Sequence, residues 1–267
     1  MATTGSPELL SLAIDLVRRA ATLVGDSRSA AVTSIETKST PTDPVTEADR
    51  AAERLVVQGL AAARPGDLVL GEEGGFRPVG DEAGADAVRW LLDPIDGTVN
   101  FVYGIPAYAV SLAAEVDGVV VAGVVRNVVT GEEWTAVRGG GAWRDGQRLR
   151  GSGVTELSRA LVGTGFGYAA ERRQRQAEVL LRVLPRIRDI RRIGSAALDL
   201  CAAAEGRLDA FYEQGLNPWD SAAGGLVAEE AGLLVTGLRG APAGTDMTLV
   251  APSTIHQELH DLLVSQD

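Results

Sequence analysis

Trp90-Leu91-Leu92-Asp93-Pro94-Ile95-Asp96-Gly97-Thr98-Val99-Asn100-Phe101 is an apolar run that ends in two acids and a glycine. Residues 88–92 predict a short buried strand, and Gly97-Thr98 predict a helix start. Strand ends are where α/β folds gather their ligands. Hard cations such as Mg²⁺ are bound through carboxylate oxygens, and phosphate oxygens through helix N-terminal amides. Asp93 and Asp96 therefore read as metal ligands beside an anion site at Gly97 and Thr98. The bland alternative is a polar turn, since Asp-Pro and Asp-Gly are turn dipeptides. It leaves two carboxylates directly behind Trp90-Leu91-Leu92 without a purpose.

The same strand-then-acid pattern recurs once. Glu72-Glu73 follow a predicted strand at residues 68–70. Alone they would be a solvated turn; beside Asp93 and Asp96, one of them is a candidate third carboxylate. Asp220 follows Asn217-Pro218-Trp219 and precedes a helical stretch, so it is a natural helix cap. Capping and metal ligation are compatible if one oxygen serves each. Asp49 completes Thr46-Glu47-Ala48-Asp49, which matches a capping box. Lys38 and Asp43 read locally as ordinary loop residues.

The chain around these acids alternates its periodicity. Residues 9–17 carry a helical apolar stripe behind Ser6-Pro7-Glu8, and a second helix is predicted from Thr46 to about Ala63. Residues 108–126 are apolar runs split by Asp117-Gly118, a hairpin signal that Asp145-Gly146 repeats. Residues 1–152 thus predict two helices on an antiparallel sheet. Residues 153–267 alternate short strands (160–164, 187–193, 210–212, 233–235, 248–251) with helices (171–184, 195–205, 220–231, 254–264). That rhythm predicts an α/β layer with a partly parallel sheet. Residues 80–87 and 237–246 read as exposed loops. We expect one domain over 1–267 with these two subregions.

Composition excludes several classes of function. The 267 residues carry a net charge of −11, which argues against nucleic acid as the main ligand. The single cysteine, Cys201, rules out an intrachain disulfide and lies in an apolar run, as a buried thiol would. The N-terminal apolar stretch is broken by Asp15, Arg18 and Arg19 and has no basic leader. No run of 18 apolar residues predicts a membrane span. A cytoplasmic location is the default expectation. His256-Gln257-Glu258-Leu259-His260 has its Glu one place too late for a zinc-protease helix, and both histidines are expected on the surface of the last helix. Gly163-Thr164-Gly165-Phe166-Gly167 lacks the final glycine of a dinucleotide loop. Neither a Walker lysine loop nor a Gly-x-Ser-x-Gly elbow occurs.

Residues 93–101 resemble the signature of the inositol monophosphatase family, and Trp219-Asp220-Ser221-Ala222-Ala223-Gly224 resembles its second signature. Gly71-Glu72-Glu73-Gly74, Lys38 with Asp43-Pro44-Val45-Thr46-Glu47-Ala48-Asp49, and Arg192-Ile193-Gly194-Ser195-Ala196-Ala197-Leu198-Asp199-Leu200 match three more blocks in order. The resemblance spans about residues 8–265 and is strongest to bacterial, particularly actinobacterial, members.

This resemblance implies an α/β (α+β) fold of the layered αβαβα type and a lithium-sensitive, Mg²⁺-dependent phosphatase, usually a homodimer. Carried over by motif, one Mg²⁺ takes Glu72, Asp93 and the carbonyl of Ile95, and a second takes Asp93, Asp96 and Asp220. A third, weaker ion sits near Glu72. Asp49 and Thr98 orient the attacking water, and the amides of Gly97 and Thr98 hold the phosphate. Asp96, Gly194, Ala196, Glu213 and Asp220 face the inositol. Tyr103 stands where animal members commonly carry His, and Val99 replaces a frequent Thr. The implied substrate is a small phosphate monoester, foremost myo-inositol 1-phosphate. Relatives of this fold also cleave fructose 1,6-bisphosphate, and some bacterial relatives act in transcription complexes.

Overall fold

The computed structural model describes residues 5–31, 35–37, 44–80, 84 and 86–264. Lys38 and Asp43 lie outside them. Helix α1 (Ser6–Ala31) is followed by a small antiparallel pair, β1 (Ile35–Thr37) and β2 (Pro44–Thr46), and by α2 (Glu47–Ala63). The next strands are β3 (Leu68–Gly71), β4 (Gly75–Pro78) and β5 (Arg89–Asp96), then the short helix α3 (Thr98–Tyr103). A meander of β6 (Ala109–Val116), β7 (Val119–Asn127), β8 (Glu133–Val137), β9 (Gly141–Arg144) and β10 (Gln147–Arg148) completes the first sheet. Its order is β10-β9-β8-β7-β6-β5-β3-β4. The sheet is antiparallel as expected, except that β3 runs parallel to β5. Both Asp-Gly hairpins form, with positive φ at Asp117, Gly118, Asp145 and Gly146 as a type I′ turn requires.

The second sheet has five strands: β11 (Leu161–Thr164), β12 (Asp189–Arg191), β13 (Ala210–Glu213), β14 (Leu234–Thr236) and β15 (Thr248–Ala251). Their order is β12-β11-β13-β15-β14, with β12, β11 and β13 parallel. Helices α4 (Ala170–Val183), α5 (Ala196–Glu205), α6 (Pro218–Glu230) and α7 (Ser253–Val264) alternate with them.

Burial resolves these elements into five layers. Leu16, Val17 and Val24 of α1 and Val56 and Leu60 of α2 pack with Trp90, Leu92, Leu112 and Val124 on one face of the first sheet. Leu91, Ala113, Val125 and Trp134, on the opposite face, pack with α5, α6 and Phe211 and Val250 of the second sheet. Val162, Tyr212 and Leu249 pack outward with Val183, Ile255 and Leu259, from the α4 and α7 side. The order α1/α2, sheet, α5/α6, sheet, α4/α7 is the predicted αβαβα sandwich.

Cys201 is buried in the central layer, as expected. The two histidines are not simple surface residues. His256 Nε2 lies 2.8 Å from the Thr236 hydroxyl, and His260 Nε2 accepts the Arg239 N–H at 2.9 Å. They secure the start of the loop after β14. No helix of the described residues is long and apolar enough to cross a membrane.

Candidate active site

The two acids of β5 are three residues apart. Strict alternation would send them to opposite faces of the sheet. The register prevents it. Asp93 pairs with Ser111 and Asp96 with Ala109, so β5 spends three steps where β6 spends two. This is a β-bulge, an extra residue that re-aims the side chains beyond it. Ile95 consequently packs with Trp90 and Leu92 on the α1/α2 side, and Asp96 turns to α5 with Asp93 on the same side. The strand bends directly into Gly97, whose φ of +95° suits glycine. A Cβ there would stand 3.0 Å from the carbonyls of Ala107 and Gly194.

Asp96 closes the N-terminus of α5. It accepts the Ser195 hydroxyl at 2.5 Å and the Ala197 N–H at 2.7 Å on Oδ2, and the Ala196 N–H at 3.3 Å on Oδ1. Ser195 in turn accepts the Leu198 N–H as the helix cap. Asp220 sits at the start of α6 and takes the Asn217 N–H on Oδ2 at 2.7 Å. The expected cap is displaced by three residues: Asn217 is the N-cap, and Asp220 is the third helical residue, which closes a capping box by accepting the cap's backbone N–H on Oδ2. Asp93 accepts the Ile95 N–H at 3.0 Å on Oδ1. Asp49 lies beneath, fully buried. Its Oδ2 takes the N–H and hydroxyl of Thr46, and Oδ1 lies 3.4 Å from the Thr98 hydroxyl. That hydroxyl is also 3.0 Å from the Ile95 carbonyl. So the local capping reading of Asp49 and its pairing with Thr98 both hold.

These residues surround one cavity of about 320 Å³. Glu72, Asp93, Ile95, Asp96, Gly97 and Thr98 line it from the first sheet. Gly194, Ala196, Glu213 and Asp220 line it from the second half. Asp49 is the one sequence-predicted residue behind the wall rather than on it. The loops after β11 and β13 form the far rim, where parallel strands end. Gln176 of α4 ties them together, accepting Gly167 N–H and donating to the Gln214 carbonyl.

Acids outnumber bases in the cavity, which Arg172 and Arg192 also line. Burial, followed by repulsion from Glu72, Asp96 and Asp220, holds Asp93 well above the usual carboxylate range. Burial, then Asp96 and Glu72, does the same to Asp220. Burial raises Asp96 too, against the Ser195, Ala197 and Ala196 donors and Arg192. Asp49 is raised by burial to about 6, and Glu213 by burial and then Asp96 to about 8. Glu72 is the largest charged contributor to the rise at Asp93, and a cation between the two carboxylates would turn that repulsion into attraction. The donors are all oxygen, which fits Mg²⁺ rather than a soft metal. Among the described residues, no three acidic, His or Cys side chains are already gathered round one point at ligand spacing.

Four participants escape sequence reasoning. Ser195 and Arg192 stand in a family block that implies no role for them. Asn100 donates to the carbonyls of Ile193 and Ala107, which pins α3 to the loop before α5. Asp199 is buried on α5, and its Oδ1 has no hydrogen-bond partner. An acid inside the apolar run of residues 196–204 is the one signal that could have found it. Burial, then Glu213 and Asp96, push Asp199 up to about 9.

A carboxyl raised in the folded state stabilises fully below its unfolded pKa, and loses that contribution as pH climbs to the folded value. For Asp199 the window runs from about 4 to about 9. Asp199→Asn mimics the neutral acid. The stability of the metal-free variant relative to wild type, read by thermal unfolding, is expected to rise across pH 5–9, by up to about 1.4 kcal/mol per pH unit. A difference that stays flat with pH would exclude a buried neutral acid.

The model of the inositol monophosphatase family matches residues 6–266. An inositol-1-monophosphatase of Mycobacterium bovis is 53% identical over 225 residues, covering 82% of this chain and 78% of the relative. A Nus factor SuhB of Pseudomonas aeruginosa is 47% identical over 205 residues, covering 74% and 73%. The solved structure of Mycobacterium tuberculosis SuhB superposes with a TM-score of 0.80 at 45% identity, covering 96% of each chain. The match runs through every element that carries an acid to the cavity, and the chain belongs to the inositol monophosphatase family.

Proposed function

We propose that this protein is a Mg²⁺-dependent phosphatase that hydrolyses myo-inositol 1-phosphate by direct attack of water. The observation that carries this reading is the bulge in β5. It turns Asp93 and Asp96 to one side, facing Glu72 and Asp220 across a single cavity. Glu72, Asp93 and the Ile95 carbonyl would hold one Mg²⁺, and Asp93, Asp96 and Asp220 a second, with a third weaker ion near Glu72. Bound there, Mg²⁺ would offset the carboxylate charge, polarise the phosphate and acidify a water.

The chain's own groups supply the rest. A phosphate dianion meeting these carboxylates unaided is repelled by about 1–4 kcal/mol per close pair, so the acids alone cannot bind it. Gly97 and Thr98 would present amides to the phosphate at the end of β5. Asp49 would accept the Thr98 proton, leaving the hydroxyl oxygen to align the water. Gly194, Ala196 and Glu213 would meet the polyol, since a carboxylate accepts hydroxyl donors. A homodimer in the cytoplasm completes the reading.

A substrate panel tests it. With Mg²⁺, kcat/KM is expected to be highest for inositol 1-phosphate, and a chelator should remove the activity. A preference for fructose 1,6-bisphosphate would replace it with a broader sugar-phosphate phosphatase. The relatives named Nus factor, in Pseudomonas aeruginosa and Vibrio cholerae, favour one second reading, a role in a transcription complex. Partners retained by the Asp96→Asn protein would separate that role from catalysis.

A further inference from the structure

The turn that carries Glu72 is held from outside the cavity. Glu72 N–H donates to the Leu92 carbonyl at 3.1 Å, which anchors the end of β3 beside β5. The next amide, Glu73 N–H, donates to Glu53 Oε2 at 3.0 Å. The other oxygen of Glu53 takes Arg77 Nη2, from β4, at 2.7 Å. Glu53 lies on α2, one helical turn beyond Asp49, and is only 3% exposed.

The turn has no side chains where Glu53 and Arg77 approach. A Cβ on Gly71 would stand 2.5 Å from Glu53 Oε2. One on Gly74 would stand 2.4 Å from Glu53 Oε1 and 1.5 Å from Arg77 Nη1. Two glycines thus admit an ion pair against the backbone. Glu53 is buried but the Arg77 side chain is 33% exposed, and such a partly buried ion pair is a weak device for stability alone. What this pair does that apolar residues cannot is fix one named amide, the one after Glu72.

We infer that Glu53, locked by Arg77, is a positioning residue that fixes the β3–β4 turn and so sets where Glu72 meets the other metal-binding acids. The inference rests on the metal-dependent reading proposed for the cavity. Asp49 and Glu53 are one turn apart on α2, so one helix supports the cavity at two points, behind Thr98 and behind Glu72. Loss of such supporting hydrogen bonds commonly weakens metal affinity 10- to 100-fold.

The test is calorimetric Mg²⁺ binding to the chelator-stripped full-length protein. Glu53→Gln is expected to weaken Mg²⁺ affinity about tenfold. Its kcat at saturating Mg²⁺ is expected to stay within about threefold of wild type, because the ligands themselves remain. Arg77→Gln should shift affinity in the same direction, and it carries the test if the Glu53 variant does not fold. Glu133→Gln is the control. It breaks an ion pair of similar burial with Arg18 and Arg126, away from the cavity, and should lose stability without changing Mg²⁺ affinity. Wild-type affinity in both the Glu53 and Arg77 variants overturns the positioning role. A wild-type protein that binds no Mg²⁺ overturns the functional reading with it.

Discussion

Asp96→Asn is expected to fold and to lose nearly all turnover, with kcat/KM down by about 10³-fold or more, roughly 4 kcal/mol of transition-state stabilisation. The fold should survive because the amide has the same shape. Its oxygen can still accept the Ser195 hydroxyl and the Ala197 N–H, now given to Asp96 Oδ2. What is lost is the long bond from Ala196 to Oδ1, where an NH₂ would meet an N–H. A lost neutral bond of that kind costs about 1 kcal/mol, and removing one of several crowded buried charges offsets it. The chemistry does not survive, because an amide is neither an anion nor a comparable ligand for a hard cation. Melting temperature and kcat/KM at saturating Mg²⁺ check both halves. Wild-type-like turnover would sink the role given to Asp96.

Thr98→Val and Asp49→Asn are each expected to lower kcat about 10²- to 10³-fold while moving KM little. Valine keeps the volume of threonine and removes the hydroxyl that reaches toward both Asp49 and the Ile95 carbonyl. Asparagine at position 49 keeps an oxygen for the Thr46 cap, so α2 should keep its start. Alanine there would add a lost cap, about 1 kcal/mol of stability. The double variant decides the matter. Residues that act as one unit are not additive, so Thr98→Val/Asp49→Asn should be no slower than the worse single variant. Multiplied losses would mean that the two side chains act separately.

Two acids of the site were legible because their signals are local. Asp93 and Asp96 follow an apolar run within a few residues, whereas local pattern did not separate Glu72 from Glu73 and read Asp220 as a cap, so these two took their places from the family resemblance. The two subregions were legible for the same reason, since periodicity switches between them, whereas their stacking into five layers came from the family resemblance alone. What escaped depends on contacts distant in sequence. The parallel pairing of β3 with β5 is a choice of neighbour, not of local pattern. Strand β4 reads Gly75-Phe76-Arg77-Pro78, is an edge, and leaves Phe76 exposed. Without an apolar alternation it gave no strand signal. Ser195 and Glu53 look like a helix cap and a helix surface acid until the fold brings Asp96 and Glu73 to them.

A plain strand could also show two acids on one face, with a single residue between them. The bulge in β5 achieves the same facing with two residues between, and the surplus is not idle. Pro94 and Ile95 have no register partner in β6, and the Thr98 hydroxyl reaches the Ile95 carbonyl instead. The irregularity therefore supplies a backbone oxygen beside the acids as well as their common direction. Deleting one of the two residues would straighten the strand and could leave both carboxylates facing the cavity, yet that oxygen would be drawn back toward the ladder. Anyone transplanting this centre into another sheet must carry over the half-step along with the carboxylates.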